Sequence, residues 1–173
     1  MVFIFSNIMK ELSSEIPDGF FLTKIEAFSE RYTNKLPVTN FSAKVVKKKE
    51  TSLYSYYLCE GVGLGKEKET IYLNFSLMKG NFQNGKENNK EKLKYLLEKY
   101  EYSIKFSSLE IESFCNDVGD ENEIHKGERP VVPGLLIIKK SLGEMTTING
   151  LLVNFYKPVY SEQEVFIKKN NNE

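Results

Sequence analysis

The chain contains a single histidine, His125, within a short polar segment that could carry out acid–base chemistry. Histidine is the side chain best suited to proton transfer near neutral pH. Asp120 precedes His125 by five residues, and Asn122 lies between them. A loop of this length can direct a carboxylate and an imidazole at one water molecule, so that the pair adds or removes a proton and a hydroxyl group. The alternative interpretation is a polar loop with a solvated histidine.

Elements on both sides must position this segment. Upstream, residues 102–106 alternate as in a strand, and Ser107 with Glu110 has the spacing of a helix capping box. Apolar residues then follow at helical spacing: Ile111, Phe114, Cys115 and Val118. Downstream, we expect a second apolar helix at about residues 135–143 and a strand at residues 148–155.

Three motifs occur in this region in a particular order. They consist of Phe114, Gly119, Asp120, Asn122, Ile124 and His125; then Val131, Pro133, Gly134, Leu135 and Leu136; then Phe155, Tyr156, Lys157, Pro158 and Val159. Together they resemble the motifs of the MaoC-like (R)-specific enoyl-CoA hydratases and 3-hydroxyacyl dehydratases, which have the hot-dog fold. The resemblance covers about residues 100–165 and rests on the order of the motifs, not on the Gly-Asp pair alone.

The resemblance implies a reaction and a role for each site residue. Residues that match Asp120 and His125 flank a water in that family, and they add it reversibly to a trans-2-enoyl thioester to give a (3R)-hydroxyacyl thioester. Backbone N–H groups near Gly134, at a helix N-terminus, would stabilise the charge that develops on the thioester oxygen. Asn122 would orient the loop or the substrate. Which of Asp120 and His125 is the base and which the acid stays open, and they could act as a coupled pair.

The composition indicates a folded, soluble protein, since 40% of the 173 residues are hydrophobic and 28% are charged. Twenty-four basic residues balance 24 acidic ones, so neither nucleic acid nor a membrane surface is an expected partner. The sequence predicts no transmembrane helix and no signal peptide. One histidine and two cysteines without metal spacing argue against a zinc site, and the implied reaction needs no metal or redox cofactor. We expect Cys59 and Cys115 to be free thiols in a cytoplasmic protein.

Residues 1–78 are predicted to form a helix followed by antiparallel strands. Apolar residues at helical spacing mark the helix: Phe5, Ile8, Met9 and Leu12. A turn at Pro17-Asp18-Gly19 ends it. Strands are expected at residues 20–32, 41–45, 53–60 and 71–77. Residues 79–92 predict a linker or long exposed loop, and a charged helix should follow to Tyr100.

We therefore predict an α+β protein of hot-dog fold, in which an antiparallel sheet wraps around a central helix. A trimmed double hot dog would consist of an N-terminal half, a linker with a helix, and a C-terminal half with the motif, at residues 1–80, 81–100 and 101–173. The alternative is a permuted single hot dog, in which strands at residues 41–78 close a sheet begun at residues 102–106. In either case the strand at residues 148–155 should join the earlier strands, because unpaired strand edges tend to find partners.

A glycine-rich run, Gly61-Val62-Gly63-Leu64-Gly65-Lys66, is similar to a phosphate-binding loop. Glu60 and Glu67 stand at its ends, however, where their negative charge would repel phosphate. The run lies between two strand patterns, so a hairpin turn is predicted instead.

Tyrosines at positions 54, 56 and 57 could stack on single-stranded nucleic acid. Because no basic stripe accompanies them, we expect them to pack within a sheet. The three lysines at positions 47–49 predict a solvated turn, with contacts to coenzyme A phosphates as the alternative.

The expected activity is (3R)-specific hydration or dehydration of an acyl thioester, carried by coenzyme A or acyl carrier protein, in fatty acid metabolism. Such a protein would be a homodimer, or a pseudo-dimer within one chain. Two alternatives on the same fold are a non-catalytic subunit that binds acyl groups or pairs with an active partner, and a thioesterase. The Gly-Asp-x-Asn-x-Ile-His motif argues against hydrolysis, which needs water directed at the carbonyl carbon rather than at the β carbon.

Overall fold

A computed structural model describes residues 2–12, 14–16, 18–29, 38–65, 70–80, 102–142 and 150–167. Within these ranges lie three α-helices, α1 (Val2–Glu11), α2 (Ser108–Val118) and α3 (Gly134–Leu142), and a 3-10 helix at Glu123–His125. The same ranges contain seven strands: β1 (Phe21–Ser29), β2 (Val38–Glu50), β3 (Tyr54–Gly65), β4 (Thr70–Gly80), β5 (Tyr102–Ile104), β6 (Gly150–Asn154) and β7 (Val165–Ile167).

Five of the strands form one antiparallel sheet in the order β2-β3-β4-β1-β6, and β5 pairs with β7 in a separate two-stranded sheet. Strand β6 lies beside β1, with Val153 opposite Ile25. A strand from the C-terminal part of the chain therefore extends the sheet of the N-terminal part, as predicted. The permuted arrangement is not observed, because β5 pairs with β7 rather than with the strands at residues 41–78.

Helix α1 packs on the sheet and supplies much of the apolar core. Its apolar face is buried, as the spacing predicts: Ile4, Phe5, Ile8 and, just past its end, Leu12. Alternate residues of β4 are buried in the same core: Ile71, Leu73, Phe75 and Leu77. The helical period of the first element and the strand period of the second thus direct both apolar faces to one core.

The glycine-rich run belongs to β3 as far as Gly65, so the predicted hairpin turn is wrong. Gly61 pairs with Ala43 on one side and with Leu73 on the other. A Cβ atom at Gly61 would lie only 2.5 Å from Cγ2 of Ile8 on α1. The glycine is therefore required because the helix approaches the strand backbone closely, a common reason for glycine inside a strand. Lys66 lies outside the described residues.

The lysines at positions 47–49 lie in β2, so the predicted turn is wrong there as well. Strand β2 is at the edge of the sheet, where charged side chains hinder pairing with another chain. Nζ of Lys48 forms an ion pair with Glu50 at 3.0 Å and lies 5.3 Å from the ring centre of Tyr57. Tyr57 is 1% exposed, which confirms sheet packing for this tyrosine.

The boundary of the predicted linker also needs correction. Strand β4 continues to Gly80, so Lys79 belongs to the sheet and not to a loop. Nζ of Lys79 donates a hydrogen bond to the carbonyl of Asp18 at 2.7 Å and so ties the end of β4 to the turn before β1. The rest of the predicted linker and the helix expected before Tyr100 lie outside the described residues.

Candidate active site

The two ends of helix α2 determine where Asp120 lies. Ser107 caps the N-terminus, where its side chain accepts a hydrogen bond from the N–H of Glu110 at 3.2 Å. At the other end Gly119 adopts the left-handed conformation, with φ of 68°, and the helix ends there. The N–H of Asp120 then donates to the carbonyl of Cys115 at 2.9 Å. Asp120 is therefore fixed directly behind the helix end.

Asn122 joins the segment after α2 to the chain before β1. Its Oδ1 accepts hydrogen bonds from the N–H groups of Gly19 at 3.0 Å and Ile124 at 3.4 Å. Its Nδ2 donates to the carbonyl of Phe20 at 2.9 Å. Its backbone N–H donates to Oδ1 of Asp120 at 3.1 Å. One residue thus contacts the loop, the carboxylate and the chain before β1.

The imidazole of His125 is held at one nitrogen and presents the other to Asp120. Nδ1 lies 2.7 Å from the carbonyl oxygen of Val131, which can only accept a hydrogen bond, so Nδ1 carries a proton. Nε2 lies 3.5 Å from Oδ2 of Asp120. The side chain of His125 is 8% exposed and that of Asp120 is 31% exposed, so the carboxylate is the more open of the two. At this separation both groups can contact one water molecule.

The pair borders a cleft of about 480 Å³, which is within the range of small-molecule sites. Parts of α1, β1 and β4 line it, together with parts of α2, α3 and the segments that follow them. Asp120, Asn122, His125 and Gly134 all line it. The structure therefore brings together the four residues that the sequence singled out, and their individual roles remain predictions.

Helix α3 begins at this cleft. The N–H groups of Leu136 and Ile137 donate to the carbonyl of Pro133, at 3.0 and 3.2 Å. The N–H groups of Gly134 and Leu135 donate to no other residue within the described part of the chain, as is usual in the first turn of a helix. Both residues line the cleft, so the first turn of this helix, its positive end, borders the same cavity as the Asp–His pair.

Gly134 lies at a crowded point between the second and third motifs. A Cβ atom there would be 3.1 Å from Cδ2 of Leu22 and 3.1 Å from Cζ of Phe155. The N–H of Phe155 donates to the carbonyl of Thr23 at 2.8 Å, which fixes the third motif beside β1. The missing side chain therefore lets the start of α3 approach both β1 and the third motif.

The thiol of Cys115 lies near Asp120 but is not suited to act as a nucleophile. Burial raises the pKa of this thiol to about 12, and the negative charge of Asp120 acts in the same direction. At the edge of the loop, Nζ of Lys126 forms an ion pair with Glu123 at 2.7 Å, and this hydrogen bond raises the pKa of Lys126.

No group of three or more His, Cys, Asp or Glu side chains among the described residues could hold a metal ion. None of the helices within the described ranges is long and apolar enough to cross a membrane.

No protein-family model and no curated protein sequence matches this chain. Solved structures do match it. HtdX from Mycobacterium tuberculosis has a TM-score of 0.69 at 11% identity, over 99% of this chain and 74% of that one. A MaoC-like dehydratase has a TM-score of 0.61 at 8% identity, over 91% of this chain and 67% of that one. Peroxisomal multifunctional enzyme type 2 from Drosophila melanogaster has a TM-score of 0.58 at 13% identity, over 98% of this chain and 36% of that one.

The chain has the hot-dog fold of the MaoC-like dehydratases. The predicted α+β hot-dog fold is therefore confirmed, with α1 packed on a five-stranded antiparallel sheet. At these low identities the likeness concerns the fold, and the case for an activity depends on the geometry of the cleft.

The sequence did not indicate which N-terminal residues border the hot-dog cleft. Phe5 and Leu77 were expected only on the apolar faces of a helix and a strand, yet both line the cavity. The contact between Gly19 and Asn122 was also missed, although the turn at Asp18-Gly19 was predicted. That turn was the one sequence signal for this contact, because a turn exposes backbone N–H groups with which the loop can form a hydrogen bond.

Proposed function

We propose that this hot-dog protein catalyses the (3R)-specific hydration of trans-2-enoyl thioesters and the reverse dehydration. The proposal is supported above all by the 3.5 Å separation between Nε2 of His125 and Oδ2 of Asp120 in a cleft that also holds free N–H groups. The order of the three sequence motifs and the shared fold of a MaoC-like dehydratase support it further. The substrate is an acyl thioester of coenzyme A or acyl carrier protein.

Asp120 and His125 divide the proton transfers of the reaction between them. One group removes a proton from water while the resulting hydroxide adds to the β carbon, and the other delivers a proton to the α carbon. Because Nδ1–H of His125 is engaged with the carbonyl of Val131, Nε2 is the nitrogen that exchanges protons. Proton transfer between Nε2 and Oδ2 restores the starting state, so the pair acts as one coupled unit.

The free N–H groups of Gly134 and Leu135 stabilise the enolate-like oxygen that forms on the thioester. Replacement of Gly134 by alanine would press a Cβ atom against Leu22 and Phe155 and displace these donors. We expect Gly134→Ala to lower kcat by roughly tenfold or more, while the affinity for the product changes less.

We further propose that the protein is cytoplasmic and acts without a metal or redox cofactor. Cys59 and Cys115 are both free thiols, which fits a reducing compartment. The parts at residues 1–80 and 101–173 would form a pseudo-dimer within one chain, since β6 extends the sheet of the first part.

Incubation with crotonyl-, hexenoyl- and octenoyl-CoA tests the proposal, if the absorbance of the conjugated thioester and the release of free thiol are followed together. Hydration removes the absorbance without release of thiol, and chiral analysis should show only the (3R)-hydroxyacyl product. Release of thiol would show a thioesterase instead. Binding of the acyl-CoA without either change would show a non-catalytic acyl-binding subunit.

A further inference from the structure

The cleft has a floor that consists of apolar side chains from the N-terminal part of the chain. Phe5 of α1 and Phe20, just before β1, both line the cavity and yet are only 5% exposed, and Leu77 of β4 is 4% exposed. Because these side chains border the cavity and are almost fully buried, this floor is part of the packed core. Met9 lines the same region and is half-buried.

Two aromatic contacts hold this floor in place. The ring of Phe5 packs edge-to-face on Phe75, with ring centres 4.9 Å apart, and Phe20 packs in the same way on Tyr57 at 4.9 Å. Phe75 and Tyr57 are each 1% exposed. Rings that rest on a close-packed core have little space into which they can turn, so the floor is a fixed boundary.

A polar side chain of β1 that lines the cleft already has hydrogen-bond partners in the protein. The hydroxyl of Thr23, which lines the cleft, lies 2.9 Å from Oγ of Ser76 and 3.0 Å from its carbonyl oxygen. A polar ligand group would have to replace these hydrogen bonds, whereas an alkyl chain leaves them intact. This part of the cleft therefore favours an alkyl ligand.

The floor lies close to the catalytic segment. The carbonyl of Phe20 accepts a hydrogen bond from Asn122 at 2.9 Å. Lys10 follows the half-buried Ser6 by one turn of α1. Its Nζ lies 3.4 Å from the position that a Cβ atom of Gly119 would occupy. Both α1 and the chain before β1 thus reach the loop that carries Asp120.

We infer that the floor, and Phe5 in particular, sets the longest acyl chain that the cleft accepts; this inference rests on the proposed function. The thioester must lie at Asp120 and His125, and a linear acyl chain extends from there along the apolar lining to Phe5. Each additional buried methylene raises kcat/KM roughly fourfold until the chain reaches the ring. Beyond that length kcat/KM falls, because the ring cannot move aside.

The test compares kcat/KM for enoyl-CoAs of increasing length in the wild type, Phe5→Ala and Phe5→Leu. We expect the maximum to move to longer chains in both variants, and further in Phe5→Ala. Met9→Phe, which fills the cleft, should move it to shorter chains. Ile4→Ala is the matched control, since Ile4 is 4% exposed on the same helix but does not line the cleft. It should lower stability without changing the preferred length.

Calorimetry with butyryl-, hexanoyl-, octanoyl- and decanoyl-CoA measures the preferred chain length in binding, without turnover. If Phe5→Ala does not fold, Phe5→Leu replaces it in both measurements. An unchanged length preference in Phe5→Leu and Met9→Phe would overturn the inference even in an active enzyme. A shifted length preference in binding, together with no hydration of any enoyl-CoA, would support the floor and overturn the proposed function.

Discussion

The segments at residues 61–65 and 119–125 both combine glycines with charged neighbours, yet they have opposite surroundings. The first is paired on both sides in the sheet and lies beneath α1, which leaves no space for a side chain at Gly61. The second leaves α2 through a left-handed glycine and directs a carboxylate and an imidazole into the cleft. Glycine marks only a missing side chain; its neighbours in space decide whether a helix can approach or a turn can form.

The largest effect is expected in the second segment. Asp120→Asn and His125→Gln should each lower kcat for enoyl-CoA hydration by roughly 10²-fold or more, because each removes a proton-transfer group. The melting temperature of Asp120→Asn should change little, since Asp120 is partly exposed. Glu121→Gln is the matched control: it removes an exposed carboxylate that lines the same cleft, and kcat should stay near the wild-type value. An equal loss of kcat in Glu121→Gln would mean that the fall in kcat comes from a change of charge in the cleft and not from the loss of a proton-transfer group.

A substitution in the first segment should lower the stability of the fold and leave kcat unchanged. Gly61→Ala would place Cβ 2.5 Å from Ile8, so the free energy of unfolding should fall by about 1–3 kcal/mol through overpacking. Urea denaturation measures this, and kcat per folded molecule should be unchanged. Gly150→Ala is the control, because among the described residues its Cβ would meet only the carbonyl oxygen of Ala27, at 3.8 Å. Loss of turnover in folded Gly61→Ala would give the glycine-rich run a functional role after all.

Asn122 connects the second segment to the N-terminal part of the chain. Its replacement should therefore lower both kcat and the free energy of unfolding, each to a smaller degree. Asn122→Ala removes the bonds to Gly19 and Phe20 and the cap of the 3-10 helix. We expect a loss of about 1–2 kcal/mol in unfolding free energy and a moderate fall in kcat. Asn154→Ala, on the exposed edge of β6, is the comparison. Identical behaviour of the two variants would contradict the proposed positioning role.

The smallest effect concerns the two cysteines, one beside each segment. Burial raises the pKa of Cys59 and of Cys115 to about 12, from an ordinary value of 9.0. Iodoacetamide at pH 8 should therefore modify neither thiol in the folded protein and both in urea, as mass spectrometry can show. Above pH 9 only the unfolded chain loses these protons, so stability should decrease as the pH rises towards 12. Stoichiometric labelling of the folded protein would contradict this burial.

Local patterns in the sequence were sufficient to predict the main elements and the approach of Asp120 to His125, because periodicity and short loops act over a few residues. They could not predict contacts that depend on packing between distant parts. Gly19 and Asn122 are 103 positions apart, and nothing near Gly61 indicates that Ile8 lies above it. The glycine run and the lysines of β2 were therefore assigned to turns, although tertiary contacts place both in strands.

The central claim, that Asp120 and His125 act as one unit, is tested most directly by the hydration rates of Asp120→Asn, His125→Gln and the double variant. If the pair works as a coupled unit, the double variant should lose no more than about tenfold beyond the slower single variant. Independent roles would instead multiply the two losses, to a combined fall of about 10⁴-fold. The account predicts the first result, and the multiplied loss would contradict it.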